Sequence, residues 1–375
     1  MKLKLMIAAT AIALASGGAR AQETIKVGHI QPLTGSVAYN GTANVKGARL
    51  AVEQRNAAGG VLGKQIELIT EDGQCQPAKS VNAAEKLIQR DKVPVVIGAF
   101  CSTATLAVMP IAQKYGVPLL TGVSSNETLT EKGNTWFFRA TDTDPLLAHT
   151  FAKVLTDELK LKKVAYVGVN DDFGRGSVEG FEREITALGG ETVAKEFFEH
   201  GTTDFYTILA KLRTSGADGL FVAAETQDGS TFVKQMAEFG LELKVFGVGS
   251  WATPDFMNLA GTAANGIYAM VPYVSTMDTP ENQAFVAEYT KKYDEAPGKY
   301  GAAGYNTANI VMEAIERAGS TDPAAIREAL AKTDYTGPNG HFIFDEKGQA
   351  LGFYVALVQL QDGTAKIVSL AKTQH

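Results

Sequence analysis

Short β-rich runs alternate with amphipathic helical stretches along most of this chain, and the alternation runs through twice. Residues 25–28, 65–71, 93–97 and 117–120 read as strands. Residues 44–57, 77–89 and 103–114 read as the helices between them, the last one kinked at Pro110. In the stretch 77–89, Ala78, Val81, Ala84, Leu87 and Ile88 recur at helical spacing. Such a βα series predicts a parallel sheet covered by helices on both faces. The series restarts with strands at 163–169, 191–198, 218–223 and 244–248 and helices at 174–188, 205–213 and 228–239. No fixed-period sequence repeat accompanies it. Two parallel-sheet lobes of α/β class are therefore expected, in keeping with a length of 375 residues.

The remainder does not make a third lobe. Residues 280–293, 300–318 and 322–332 read as helices, and a strand-rich tail holds 342–344 and 353–361. These helices are best placed as a return of the chain onto the first lobe. The expected division is residues 22–143 with 272–348 in lobe one, and 144–271 with 349–375 in lobe two. Several crossings between lobes make a hinge.

Residues 1–21 carry the marks of a secretory leader. Lys2 and Lys4 open it, residues 5–16 are apolar, and Ala19-Arg20-Ala21 supplies a small-x-small cleavage pattern before Gln22. The apolar run is shorter than the ~20 residues a spanning helix needs. No cysteine follows the cleavage point, which argues against a lipid anchor. The formal net charge is −6 and becomes more negative once Lys2, Lys4 and Arg20 are removed. An acidic, evenly mixed chain argues against nucleic acid as a partner and otherwise serves solubility.

Two cysteines in an exported chain most often pair. A Cys75–Cys101 bridge closes a loop of roughly 27 residues and contributes ~3–4 kcal/mol on the chain-entropy model. The alternative is two buried thiols. Cys101 lies in Gly98-Ala99-Phe100-Cys101-Ser102-Thr103, where a strand hands over to a helix, and such turns hold ligands in open α/β sheets.

Two strand-end turns of the first lobe carry hydroxyls and free N–H groups: Ser102 after the strand ending at Ile97, and Val123 with Ser125 after the strand ending at Leu120. Ser102 at a helix start suits an anion, although either serine can equally be a helix cap. In the second lobe Glu225 follows a strand and suits an ammonium or amide donor, or is a solvated loop acid. The segment Asn170-Asp171-Asp172-Phe173-Gly174 offers an aromatic face flanked by acids, the equal alternative being that Asp172 only caps the next helix. Phe100, Phe173, Tyr39, Trp251 and Tyr273 are candidates for apolar walls or for plain core. His29, His149, His200, His341 and His375 show no metal-ligand spacing. No dinucleotide fingerprint, nucleophile elbow or phosphate loop occurs, so neither a cofactor nor a catalytic constellation is expected. Asn126-Glu127-Thr128 matches a glycosylation acceptor but is discounted in a chain of bacterial style.

One ordered set of motifs is specific. Ile25-Lys26-Val27-Gly28 leads to Pro32-Leu33-Thr34-Gly35, then to Gly47-Ala48 and Asn56-Ala57-Ala58-Gly59-Gly60. Glu71-Asp72-Gly73-Gln74-Cys75-Gln76-Pro77 follows, then the Cys101 turn, Tyr115-Gly116-Val117-Pro118 and Phe173-Gly174. Over essentially the whole mature length the chain resembles type I periplasmic binding proteins, the leucine/isoleucine/valine-binding family of branched-chain amino acid ABC transporters.

The resemblance implies a two-lobed flytrap, a monomer in the periplasm of a Gram-negative bacterium, whose closure is read by an inner-membrane permease. It implies a small amino acid or related carboxylate as ligand. Ser102, Val123 and Ser125 would hold the carboxylate, Phe173 would stack where many relatives carry Tyr, and the family disulfide falls on Cys75 and Cys101. One departure stands out. Amino-acid binders of this type place an acid near the end of the 244–248 strand, where this chain has Gly249-Ser250-Trp251. Either Glu225 replaces that charge, or the ligand is an amide, urea or an aromatic acid. A ligand-sensing subunit on the same fold is the other functional alternative.

Overall fold

The computed structural model describes residues 24–373, so the expected leader lies outside the described residues. The first sheet is built from β1 (Thr24–Gln31), β2 (Gln65–Asp72), β3 (Val96–Ile97), β4 (Leu119–Thr121) and β5 (Phe137–Arg139). Between them run α1 (Ala38–Ala57), α2 (Pro77–Glu85, continued by a π turn to Arg90), α3 (Ser102–Tyr115) and the short α4 (Thr128–Glu131). All four pairings are parallel, in the order β2-β1-β3-β4-β5. Pro110 lies inside α3.

The chain crosses to the second lobe after β5, through residues 140–143, and begins α5 (Asp144–Lys153), whose start is capped by the Thr143 hydroxyl accepting from Leu146 N. There follow β6 (Lys163–Val169), α6 (Asp172–Ala187), β7 (Glu191–Phe198), α7 (Tyr206–Thr214), β8 (Gly219–Ala223), α8 (Thr226–Glu238), β9 (Lys244–Gly247), α9 (Pro254–Ala260) and β10 (Tyr268–Val271). These strands lie in the order β7-β6-β8-β9-β10, all parallel. Taken from its own first strand, that is the order of the first sheet. The repeat is one of topology, and it places each sheet's switch point beside its first strand, where α/β sheets open a crevice at their carboxyl ends. β6 and β8 are buried on both faces, as parallel strands sandwiched by helices must be.

After β10 come α10 (Pro280–Tyr293), α11 (Lys299–Ala318) and α12 (Pro323–Leu330). α11 packs along α1 of the first sheet, and α12 packs on α11. The approach of α1 and α11 is close enough that a Cβ on Gly304 would lie 2.0 Å from the Asn44 carbonyl oxygen. The chain closes with β11 (Asp334–Gly337), β12 (Gly340–Phe344), β13 (Ala350–Gln361) and β14 (Thr364–Lys372). β13 pairs antiparallel with β10, β12 and β14. The β12–β13 ladder therefore spans the division expected at residue 348, and β11 and β12 extend the second sheet rather than the first.

The hinge is tied where strands of the two lobes pass each other. Arg139 N donates to Gly348 O at 2.8 Å, the buried Arg139 side chain donates to Gln349 Oε1 at 2.6 Å, and Gln349 Nε2 donates to Thr141 O at 2.7 Å. Cys75 and Cys101 are joined in a disulfide that fastens the loop after β2 to the turn before α3. Among the described residues no helix is long and apolar enough to cross a membrane.

Candidate functional site

The carboxyl edges of the two sheets face each other and enclose an interlobe cavity lined by residues of both lobes. Ser102, Val123, Ser125, Phe100, Phe173 and Glu225 all line it. Three aromatic candidates do not. Trp251 is fully buried, stacked on Phe256, and its Nε1 donates to Ala224 O at 2.8 Å, so it fills second-lobe core. Tyr273 is buried against Phe285, and Tyr39 on α1 points to solvent outside the cavity, 48 % exposed.

Ser102 is the first residue of α3 and does not cap it. The N-cap is Cys101, which makes no side-chain cap bond. The first N–H groups of the helix therefore lack intrahelical partners and face the cavity end. Ser102 Oγ accepts from Asn126 N at 3.3 Å, which ties the two strand-end turns together. Ser124 braces the same corner, donating to Phe100 O at 2.7 Å. Ser125 N has no partner among the described residues, and Ser125 Oγ donates to Asp144 Oδ2 at 2.9 Å. Burial pushes the Asp144 carboxyl above its usual range, opposed by the hydroxyls of Ser177 and Ser125.

From the second lobe, Phe173 stands half-buried at the start of α6, and Asp171 rather than Asp172 caps that helix, accepting from Gly174 N at 2.8 Å. Glu225 is the N-cap residue of α8 but makes no cap bond. Its Oε2 accepts from Tyr300 Oη at 3.2 Å. Enclosure pushes the Glu225 carboxyl above the usual range, with Lys299 and the Tyr300 hydroxyl acting in the opposite direction. His200 lies at the rim and bonds Asp171 Oδ2 at 3.0 Å and Asp228 Oδ2 at 3.4 Å. These two hydrogen bonds raise its pKa to about 10, so the imidazole is a cation at neutral pH.

Lys299, Tyr300, Asp142, Asp144 and His200 also line the cavity and were not singled out from the chain. Asp144 had one local signal, the Thr-Asp-Pro start of a helix. Lys299 and Tyr300 had none, because their place in the cleft depends on α11 returning to the first lobe. The lobes touch around the cavity. Asn126 Nδ2 donates to Asp172 O, Asp172 N donates to Thr103 Oγ1 at 3.3 Å, and Asn40 Nδ2 donates to Thr226 Oγ1 at 3.4 Å. The Arg183 guanidinium pairs with both Glu127 oxygens, at 2.8 and 3.0 Å. Chemically, the site offers hydroxyls and unpaired N–H groups on one wall, a carboxylate on the other and aromatic faces between. Among the described residues no group of side chains is arranged to hold a metal ion.

A family model described as periplasmic binding protein matches residues 24–365. The leucine-, isoleucine-, valine-, threonine- and alanine-binding protein of Pseudomonas aeruginosa is 28% identical over 352 residues, 94% of this chain and 94% of that protein. Among solved structures, the branched-chain amino acid transporter substrate binding protein LivJ of Streptococcus pneumoniae, in complex with isoleucine, superposes with a TM-score of 0.87 at 29% identity, covering 93% of this chain and 100% of that one. A solute binding protein of an ABC transporter from Rhodopseudomonas palustris BisB5, in complex with 3,4-dihydroxy benzoic acid, superposes with a TM-score of 0.85 at 27% identity, covering 94% and 98%.

Proposed function

This chain belongs to the periplasmic binding protein family, and on that premise we propose that it captures a small amino acid, aliphatic in type, for an ABC importer. The observation that carries the reading is the meeting of Ser102 and Glu225, from opposite sheets, in one enclosed cavity. The solute first docks on the first lobe, its carboxylate on the Ser102 hydroxyl, the α3 amino end and the free Ser125 N–H. The second lobe then swings in with Phe173 and Glu225, water leaves, and the ammonium meets Glu225. The ligand favours closure because it touches both walls only in that state. Capture needs no bond to be made or broken. An inner-membrane permease reads the closed form, in the periplasm, with one monomer per ligand.

A second reading rests on a specific feature. Phe100, Phe173 and Tyr300 give the cavity three aromatic faces and Lys299 gives it a cation, which suits an aromatic acid such as the one bound to the Rhodopseudomonas neighbour. A thermal-shift and calorimetry panel of aliphatic amino acids, their amides and hydroxybenzoates separates the two. The expected result is a stabilising shift with an aliphatic amino acid. A response to hydroxybenzoates alone replaces the first reading by the second, and silence to all solutes at millimolar concentration removes both.

A further inference from the structure

Each acid that lines the cavity already has a neighbour of its own. Glu225 Oε2 accepts from Tyr300 Oη at 3.2 Å, and Asp144 Oδ2 accepts from the hydroxyls of Ser125 and Ser177. Asp142 Oδ1 accepts from Thr141 Oγ1 at 2.8 Å, and Asp171 Oδ2 bonds His200 at 3.0 Å. Lys299 lines the same cavity, half-buried, and makes neither a hydrogen bond nor an ion pair among the described residues. Its ammonium lies 4.8 Å from the centre of the Tyr300 ring, an attraction but not a charge partner. It acts on Glu225 and Asp144 only through space.

Nothing local asks for a lysine here. Lys299 is the first residue of α11, whose N-cap is Gly298 and whose first turn holds no acid. A cation at that end meets the positive pole of the helix, so helix formation does not favour it. α11 packs on α1 of the first lobe, yet the Lys299 ammonium reaches the second-lobe wall just past β9, where a Cβ on Gly249 would lie 3.0 Å from Nζ. Gly249 leaves the space that the ammonium uses. An unpaired cation on an enclosed interlobe surface is costly once the cleft closes, unless a ligand brings an anion to it.

We propose that Lys299 anchors a second carboxylate, so that the site prefers amino acids whose side chain ends in an acid over those of similar size with an apolar end. The inference rests on the amino-acid reading above and narrows the side chain to an aliphatic stem that carries an anion. Ser102 and the Ser125 N–H meet the α-carboxylate and Glu225 meets the ammonium, which leaves Lys299 for the side chain. A ligand ammonium entering beside Lys299 puts two like charges in one water-poor space, and a second carboxylate offsets that repulsion. Leucine satisfies the first two contacts but leaves Lys299 unpaired, so it should bind more weakly.

Calorimetry on the mature chain compares L-glutamate and L-aspartate with L-leucine. Wild-type protein is expected to bind one of the two acids about tenfold or more tightly than leucine. Lys299→Met keeps the apolar stem and removes the charge, and relief from the helix pole should leave α11 folded. The acid-to-leucine affinity ratio should then fall by about tenfold or more. Lys299→Gln should lower the ratio too, and it decides the matter if Lys299→Met does not fold. A wild-type protein that binds leucine as tightly as either acid, or a ratio unmoved by loss of the charge, overturns the proposal and leaves the amino-acid reading intact. A wild-type protein that binds none of the three overturns both.

Discussion

Ser102 and Glu225 face each other with opposite demands, and their substitutions should separate by ligand type. Ser102→Ala removes a hydroxyl donor to a buried carboxylate, so affinity should fall by ~1.5–3 kcal/mol for every carboxylate ligand, read by calorimetry. The charge-neutral swap Glu225→Gln should weaken amino acids strongly and leave uncharged or purely acidic ligands nearly unchanged. Equal effects on both ligand types would remove the role given to Glu225. The Tyr300 hydroxyl that now bonds Glu225 would remain satisfied by the amide oxygen, so loss of fold is not expected to confuse the result.

At the scale of elements, two contacts carry measurable consequences. α1 and α11 approach so closely that a Cβ on Gly47 would lie 1.9 Å from Gly301 O. Backbone does not yield as a side chain does, so Gly47→Ala should cost ~1–3 kcal/mol, seen as a lower urea midpoint with unchanged slope. The second contact is His200, which ties the loop after β7 to the end of β6 and the start of α8 through Asp171 and Asp228. Its folded pKa of about 10 lies above the unfolded value near 6.5. The linked stability is therefore fully present below pH ~6.5 and fades as pH rises towards 10. The melting-temperature gap between wild type and His200→Gln should shrink over that interval. A gap independent of pH would show that the imidazolium does not contribute.

For the whole molecule, closure depends on the two lobes fitting flush. Gly176 on α6 sits against Asn126 of the first lobe, where a Cβ would lie 2.5 Å from Asn126 Nδ2. Gly176→Leu should therefore hold the lobes apart while leaving each folded. The free protein should melt close to wild type, the ligand-induced rise in melting temperature should shrink, and X-ray scattering should report a larger radius with ligand present. A ligand-induced rise equal to that of wild type would show that this contact does not limit closure. The exposed Arg183–Glu127 pair at the same rim contributes little by comparison, because solvent screens it.

The chain itself determined the elements and their alternation. Periodicity marks α2, short apolar runs mark β6 and β8, and the turn motifs place Ser102, Val123 and Ser125 at strand ends. These signals are local, carried by residues a few positions apart. Shorter or flanking pieces were not legible: β5 has three residues, β11 acquires its role by pairing with β12, and β14 by pairing with β13. Trp251 and Tyr273 show the limit for single residues, since an aromatic after a strand fits core and cleft equally well until packing decides. Tertiary structure alone brought Asp144, Lys299 and Tyr300 to the cavity, because their positions depend on where the chain crosses the hinge and how α11 returns to α1. A contact across such separations depends on the closed arrangement of both lobes, and no local pattern encodes it.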